Sequence, residues 1–341
     1  MEVTLIAETL DPSKNSASRY SYEVSKIKEI KNIIDFSRTL KPRGILDKWI
    51  NSGYKRKKLI EKNSANLGDV IHFTQPESFI ETKETNKKKI VITVHDLALF
   101  KTKNFTNQIS SEEYALFSKK KFTTAITKAD RIITNSTQTR DELVDILKIT
   151  PEKISINPLG VDEKFKKIEA KKEGIIGYFG STSNRKRVDK LIEDFIASTL
   201  NAKFKLVIHG DGSKNNLLLK KKYEKFGSVI FKDSIKEEEL VKVINSFDYF
   251  FYPTLYEGFG LSLLECIACG VPSFIYKDAI LPQEVRKYAL EVEKIDDIEK
   301  YNRTEIEKDF TEKSNKIKKE FAWENNKNSL LEEYKNLLGL G

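Results

Sequence analysis

Two acids, Glu257 and Glu265, stand eight positions apart in PTLYEGFGLSLLECIACGVP, residues 253–272, with Gly258-Phe259-Gly260 between them. A strand is expected to end near Tyr252 and a helix to begin near Leu261. Glycines at such a turn let the backbone approach a ligand closely. The unbonded N–H groups of the first helical turn then form an anion site. Glu265 falls inside the helix, where a carboxylate aimed at phosphate would be repelled. Its natural target is the neutral part of a nucleotide, since a carboxylate accepts two O–H bonds from a ribose diol. Glu257, on the loop, faces whatever lies beyond the diphosphate. An acidic turn before an ordinary capped helix is the plainer alternative.

A second set lies in Gly180-Ser181-Thr182-Ser183-Asn184-Arg185-Lys186, between a strand and a helix. Arg185 can fork onto phosphate oxygens and Lys186 can supply a point charge. Together they can neutralise a departing diphosphate without a metal, and the chain has no Asp-x-Asp set to hold one. The plainer alternative is a solvated basic loop. Cys266 and Cys269 form a Cys-x-x-Cys with no second pair, so core packing is expected rather than a redox or zinc site.

The elements that must position these groups follow from the rhythm of the chain. Apolar runs of strand length (Val3–Ala7, Val70–Phe73, Ile90–Val94, Ile132–Asn135) alternate with helical stretches near Ser18–Lys31, Glu112–Thr127 and Gln138–Leu147. After Pro158 the rhythm restarts with Ile175–Phe179, Phe204–Ile208, Val229–Phe231, Tyr249–Tyr252 and Pro272–Tyr276. Near-continuous apolar strands between amphipathic helices read as parallel sheets covered on both faces, so the class is α/β with two doubly wound domains. The charged stretch Lys164–Gly174 is the expected boundary.

The 341 residues and a net charge of +9 fit a two-domain, basic-surfaced protein. No apolar run is long enough to span a bilayer, and the first residues lack the basic segment of a signal peptide. Two cysteines make no disulfide scaffold. A soluble, cytoplasmic protein is the expectation.

With these motifs in view, the chain resembles family 4 glycosyltransferases, retaining enzymes of the GT-B fold with two Rossmann-like domains facing across a cleft. Glu257, Gly258, Phe259, Gly260, Glu265, Ala268, Gly270 and Pro272 match the family signature in order. The resemblance extends to His95-Asp96, Asn157–Asp162, His209–Gly212 and Phe321–Glu324. It implies an acceptor-side domain over 1–166, with a last helix in 321–341 packing back on it, and a nucleotide-sugar domain over 167–320. By the same resemblance Glu265 binds the ribose, Glu257 the donor sugar, and the backbone of Phe259–Leu261 the diphosphate. Gly180 and Gly210 border the nucleotide, His95 faces the donor sugar and Asp96 adjoins it. The family's Gly-Gly pair in the first strand–helix loop is replaced here by Ser16-Ala17, the candidates for that place. The implied enzyme is a metal-independent hexosyltransferase with no cofactor beyond its donor, acting in polysaccharide, glycolipid or glycoprotein glycan assembly.

Residues 38–62 carry nine Lys or Arg against Asp47 and Glu61, interleaved with Ile45, Leu46, Trp49, Ile50 and Tyr54. A solvated helix packed on the first domain ranks first, and a contact with an anionic membrane face second. No nucleic-acid motif accompanies the charge. Two competing classes stay open on the residues alone. One is an NAD-dependent oxidoreductase, although Leu263 stands where the dinucleotide fingerprint needs a third glycine. The other is a non-catalytic carbohydrate-binding protein of the same fold.

Overall fold

The computed structural model describes residues 1–39, 52–101 and 112–341, and these form two compact units. The first takes in the chain from Met1 to Phe100, its continuation as far as Leu159, and the terminal Trp323–Gly341. The second runs from Gly160 to Ala322. Each is built on a six-stranded sheet in which every described pairing is parallel.

In the first unit the order along the chain is β1 (Val3–Ala7), α1 (Ser16–Val24), β2 (Ile30–Asp35), α2 (Phe36–Thr39), α3 (Ser52–Lys62), β3 (Val70–Phe73), β4 (Lys89–Val94), α4 (Glu112–Lys128), β5 (Arg131–Thr134), α5 (Thr137–Leu147) and β6 (Ile154–Ile156). The sheet order is β2-β1-β3-β4-β5-β6. Strands β1 and β3 are buried along their whole length, as a sheet covered on both faces requires. Helix starts are fixed by side-chain caps: Asn15 accepts from the Ser18 amide at α1, and Ser136 from Thr139 at α5.

The helix expected near Ser18–Lys31 is corrected here. It ends at Val24, and Ile30–Asp35 is the edge strand β2. Lys31 and Ile33 are exposed on that edge, so IKNIID lacks the continuous apolar run that marks the inner strands.

The second unit contains β7 (Ile175–Phe179), α6 (Val188–Ala197), β8 (Lys205–His209), α7 (Lys214–Tyr223), β9 (Val229–Lys232), α8 (Leu240–Ser246), β10 (Tyr249–Tyr252), α9 (Leu261–Ala268), β11 (Ser273–Tyr276), α10 (Gln283–Arg286), β12 (Leu290–Val292) and α11 (Arg303–Glu320). The chain closes with α12 (Trp323–Leu337), which belongs to the first unit. There Asn326 donates to the Pro158 carbonyl, and Tyr334 is fully buried against His72.

The second sheet runs β12-β11-β10-β7-β8-β9, so strand order reverses between β7 and β10. In open α/β sheets ligands bind outside the carboxyl ends of the strands flanking such a reversal. The loops leaving β7 and β10 are the ones that hold Arg185-Lys186 and Glu257-Gly258-Phe259-Gly260. In the first sheet the reversal lies between β1 and β3, next to β4, which delivers His95.

Candidate active site

In the second unit the two basic residues and the loop acid form one ion cluster. Lys186 Nζ lies 2.5 Å from Glu257 Oε1, and Arg185 Nη1 lies 3.0 Å from Oε2. Thr254 Oγ1 donates to the same carboxylate at 2.7 Å. Lys186 also donates to the Tyr252 hydroxyl at 3.0 Å and sits over that ring. The two loops are joined along their backbones as well. The Leu255 amide donates to the Arg185 carbonyl at 2.8 Å, and the Arg185 guanidinium donates to the Tyr256 carbonyl at 2.8 Å.

Lys186 and Glu257 are both buried. Burial by itself would raise the Glu257 pKa. The nearby Lys186 and Arg185 charges, with hydrogen bonds from Lys186 and Thr254, outweigh it and hold the carboxyl at about 2. Glu257 is therefore ionised at neutral pH, and its carboxylate meets both basic side chains.

Gly260 caps α9 with φ of +100°, a left-handed conformation open to glycine at little cost. A Cβ there would lie 4.0 Å from the Tyr252 ring, the ring whose hydroxyl holds Lys186. Helix α9 thus begins beside the ion cluster, with the amide-rich turn of Gly258, Phe259, Gly260 and Leu261 leading into it. The Phe259 side chain is buried against Phe321, so its backbone is what this turn offers a ligand. Glu265 is buried in the second turn of α9, four residues past Leu261, or about 6 Å along the axis.

One more loop, that after β8, borders this place. The Gly180 amide donates to His209, and the Thr182 hydroxyl donates to Asp211, which ties the loop after β7 to the loop after β8. Gly210 is a close-approach position, because a Cβ there would meet the Asn216 amide group at 2.0 Å. His209 Nδ1–H donates to the Asp233 carbonyl. Cys266 and Cys269 are buried free thiols, and burial raises both, Cys269 to about 12. Among the described residues no group of three or more His, Cys, Asp or Glu is placed to hold a metal ion.

The remaining expected site residues lie in the first unit. His95 follows β4, and its Nε2–H donates to the Thr74 carbonyl at 3.0 Å. That bond sets the tautomer of the neutral ring and leaves Nδ1 as the acceptor. Nδ1 is buried and has no hydrogen-bond partner among the described residues. Burial lowers the His95 pKa, against opposing effects of the Thr74 bond and the Asp96 charge. Asp96 accepts from the Ala98 amide and so shapes the turn after His95. Ser16 and Ala17 form the first turn of α1. Geometry thus brings Arg185, Lys186, Glu257 and the start of α9 together in one unit, with Gly180 at the head of the Arg185-Lys186 loop and Gly210 on the neighbouring loop after β8. His95, Asp96, Ser16 and Ala17 belong to the other.

Residues passed over in the sequence complete the cluster. Tyr252 and Thr254 flank the end of β10, and Arg187 follows Lys186 directly. The only signal for Arg187 was a third consecutive cation in Arg185-Lys186-Arg187.

The fold is that of the GT-B glycosyltransferases, and comparisons with known proteins show the family. Residues 161–321 match the family described as glycosyl transferases group 1, and residues 2–165 match glycosyltransferase family 4. Together they cover nearly the whole chain, which belongs to these glycosyltransferases of GT-B fold. The O-antigen chain mannosyltransferase B of Escherichia coli is 22% identical over 272 residues, 73% of this chain and 70% of the relative. D-inositol 3-phosphate glycosyltransferase of Stackebrandtia nassauensis is 26% identical over 170 residues, 43% of this chain and 38% of its own. Among solved structures, sucrose-phosphate synthase of Thermosynechococcus elongatus superposes with a TM-score of 0.74 at 17% identity, covering both chains fully. Anabaena HepE in complex with UDP and glucose gives 0.74 at 13% identity, over 98% of this chain and all of the other.

Proposed function

We propose that the protein transfers a hexose from a nucleoside-diphosphate sugar to an acceptor hydroxyl with retention of anomeric configuration, in the assembly of a surface polysaccharide, glycolipid or glycoprotein glycan. The observation that carries this reading is the cluster of Arg185, Lys186 and Glu257 beside the start of α9, at the strand-order reversal of the second sheet. Negative charge grows on the diphosphate as the glycosidic bond breaks. Preset donors act most strongly where charge develops. Arg185, Lys186 and the first amides of α9 are the groups assigned to it, so the reading takes the step as metal-independent.

Glu265 is assigned to the ribose hydroxyls and Glu257 to the donor sugar, with its carboxylate near the anomeric carbon. Ionised Glu257 suits both the sugar hydroxyls and a carbon gaining positive charge. His95 is assigned to a sugar hydroxyl that donates to its Nδ1. Family membership sets aside the dinucleotide alternative. A non-catalytic relative of this fold would bind donor without turnover, so the test has two parts. UDP, GDP and ADP, with their glucose, mannose and N-acetylglucosamine conjugates, are screened by thermal shift. A diphosphate at 100 times its Kd is expected to add about 2.7 kcal/mol of stability, a shift of several degrees. The stabilising donor should then release its diphosphate when incubated with the enzyme. No shift from any of these nucleotides would remove the reading.

The acceptor side of the proposal is a glycan or lipid-linked hydroxyl, with the protein on the cytoplasmic side of a membrane and contact through residues 38–62. Of that segment 40–51, including Lys41, Arg43, Lys48 and Trp49, lies outside the described residues. Helix α3 presents Lys55, Lys57, Lys58 and Lys62 to solvent, while Arg56 turns inward to pair with Glu8 at 2.5 Å. No described helix is long and apolar enough to cross a membrane. Vesicles containing anionic lipid are expected to sediment the wild type, and Lys55→Gln/Lys57→Gln/Lys58→Gln to release most of it. Sedimentation unaltered by the triple change would rule out this surface.

A further inference from the structure

Arg187 has a backbone that its residue type does not favour. Its φ is +48° and ψ 37°, the left-handed region, at the junction between the 184–186 turn and α6. Among the described residues only Lys148 shares a positive φ without being glycine. Such a conformation costs free energy for a residue with a Cβ and persists only where the surroundings hold it. A glycine would adopt it freely.

The side chain supplies the reason. Arg187 is largely buried, and its guanidinium reaches the two other loops that enclose the cluster. Nε donates to the Pro253 carbonyl at 2.9 Å, and Nη2 to the Thr254 carbonyl at 3.2 Å. These two carbonyls stand just before Leu255–Glu257 in the loop after β10. The same fork grips Asp278, in the loop after β11, at 2.6 and 2.8 Å. The guanidinium also lies over the Tyr276 ring. The bond from Leu255 to the Arg185 carbonyl, and that from the Ile280 amide to the Leu255 carbonyl, run parallel to this clamp. A lysine is a point charge and cannot present three directed donor groups to two carbonyls and a carboxylate at once.

We propose that Arg187 is a positioning residue: its guanidinium fastens the loops after β10 and β11 to the Arg185-Lys186 turn, and so presets the two cations and Glu257 for the diphosphate of the donor. The assignment of the diphosphate rests on the glycosyl-transfer reading, whereas the clamp itself rests on the bonds above. Arg187 acts through its neighbours and need not touch substrate.

Arg187→Gly tests this, because it relieves the left-handed backbone while removing the clamp. Amide hydrogen exchange at Leu255 and Glu257, both bonded across the joined loops, is expected to accelerate at least tenfold. kcat for the donor found by the nucleotide screen should fall by about 10- to 100-fold, with donor KM within about threefold and Tm within a few degrees, as expected when reacting groups are misplaced but binding surface is kept. Asp278→Asn weakens one arm only. It should shift exchange and kcat in the same direction by a few-fold, and it decides the matter if Arg187→Gly does not fold. Unaltered exchange at Leu255 and Glu257 in the folded variant overturns the proposal, as does a kcat loss no larger than the accompanying loss of stability. Faster exchange in an enzyme that turns over none of the screened donors would uphold the clamp and reject the transfer reading.

Discussion

Lys186→Met is expected to lower turnover by about 10²- to 10³-fold, the usual effect of deleting one preset donor to a developing anion, while the protein stays folded. The second half of that expectation comes from the cluster. Removing one partner of a buried ion pair commonly costs about 3–5 kcal/mol, because a charge is left without compensation. Here Glu257 keeps Arg185 at 3.0 Å and the Thr254 hydroxyl at 2.7 Å. The cost should therefore fall well below that range, at about 1–2 kcal/mol, and Met fills much of the vacated volume. Glu257→Ala is the opposite case, since it takes one carboxylate away from both Lys186 and Arg185 at once. That variant should be less stable than Lys186→Met, and a bound nucleoside diphosphate should raise its Tm more than it raises that of the wild type. Parallel losses of Tm and kcat across the two variants would assign the cluster to structure rather than to chemistry.

Much of this arrangement was legible in the residues. Strands such as Val3–Ala7, Val70–Phe73, Ile175–Phe179 and Tyr249–Tyr252 stood out because parallel strands covered on both faces must be apolar throughout. Ile30–Asp35 does not stand out, because an edge strand can leave Lys31 and Ile33 in water, and the helix expected near Ser18–Lys31 overruns its first two residues. At the site, residue types pointed to Arg185, Lys186 and Glu257 as separate donors and acceptors. That Lys186 and Glu257, 71 positions apart, neutralise one another depends on β7 and β10 being neighbours, a fact of sheet order that no local pattern carries. Arg187 was further out of reach. A positive φ in a residue other than glycine leaves no mark in composition or period, and its role emerges only once Pro253, Thr254 and Asp278 are placed around it. Nor does any local pattern mark Tyr252 and Thr254, whose bonds to Lys186 and Glu257 exist only in the folded chain.

The other large effect concerns acid and arises in the first unit. His72 is completely buried in β3, with Nδ1 2.6 Å from the Tyr334 hydroxyl of α12 and Nε2 2.8 Å from Thr93 Oγ1, which in turn bonds to Tyr20. Burial above all, and the nearby His95, lower its pKa to about 3. An unfolded histidine titrates near 6.5. Between those values the unfolded chain holds a proton that the folded chain does not, so stability rises with pH and is lost as pH falls from about 6.5 towards 3. The full loss is on the order of 5 kcal/mol, with about 3 kcal/mol already gone at pH 4.5. Glu257 pushes in the same direction but in a lower window, from the unfolded carboxyl value near 4.5 down to about 2. Urea midpoints at pH 7 and 4.5 therefore report mainly on the histidines. The wild type should lose stability steeply across this interval, and His72→Asn, which has no proton to take up, should lose about 3 kcal/mol less. The damage should appear first where His72 meets Tyr334, as protease sensitivity of the closing helix Trp323–Leu337 at pH 4.5. Identical pH slopes for wild type and His72→Asn would show that His72 is not the group that titrates.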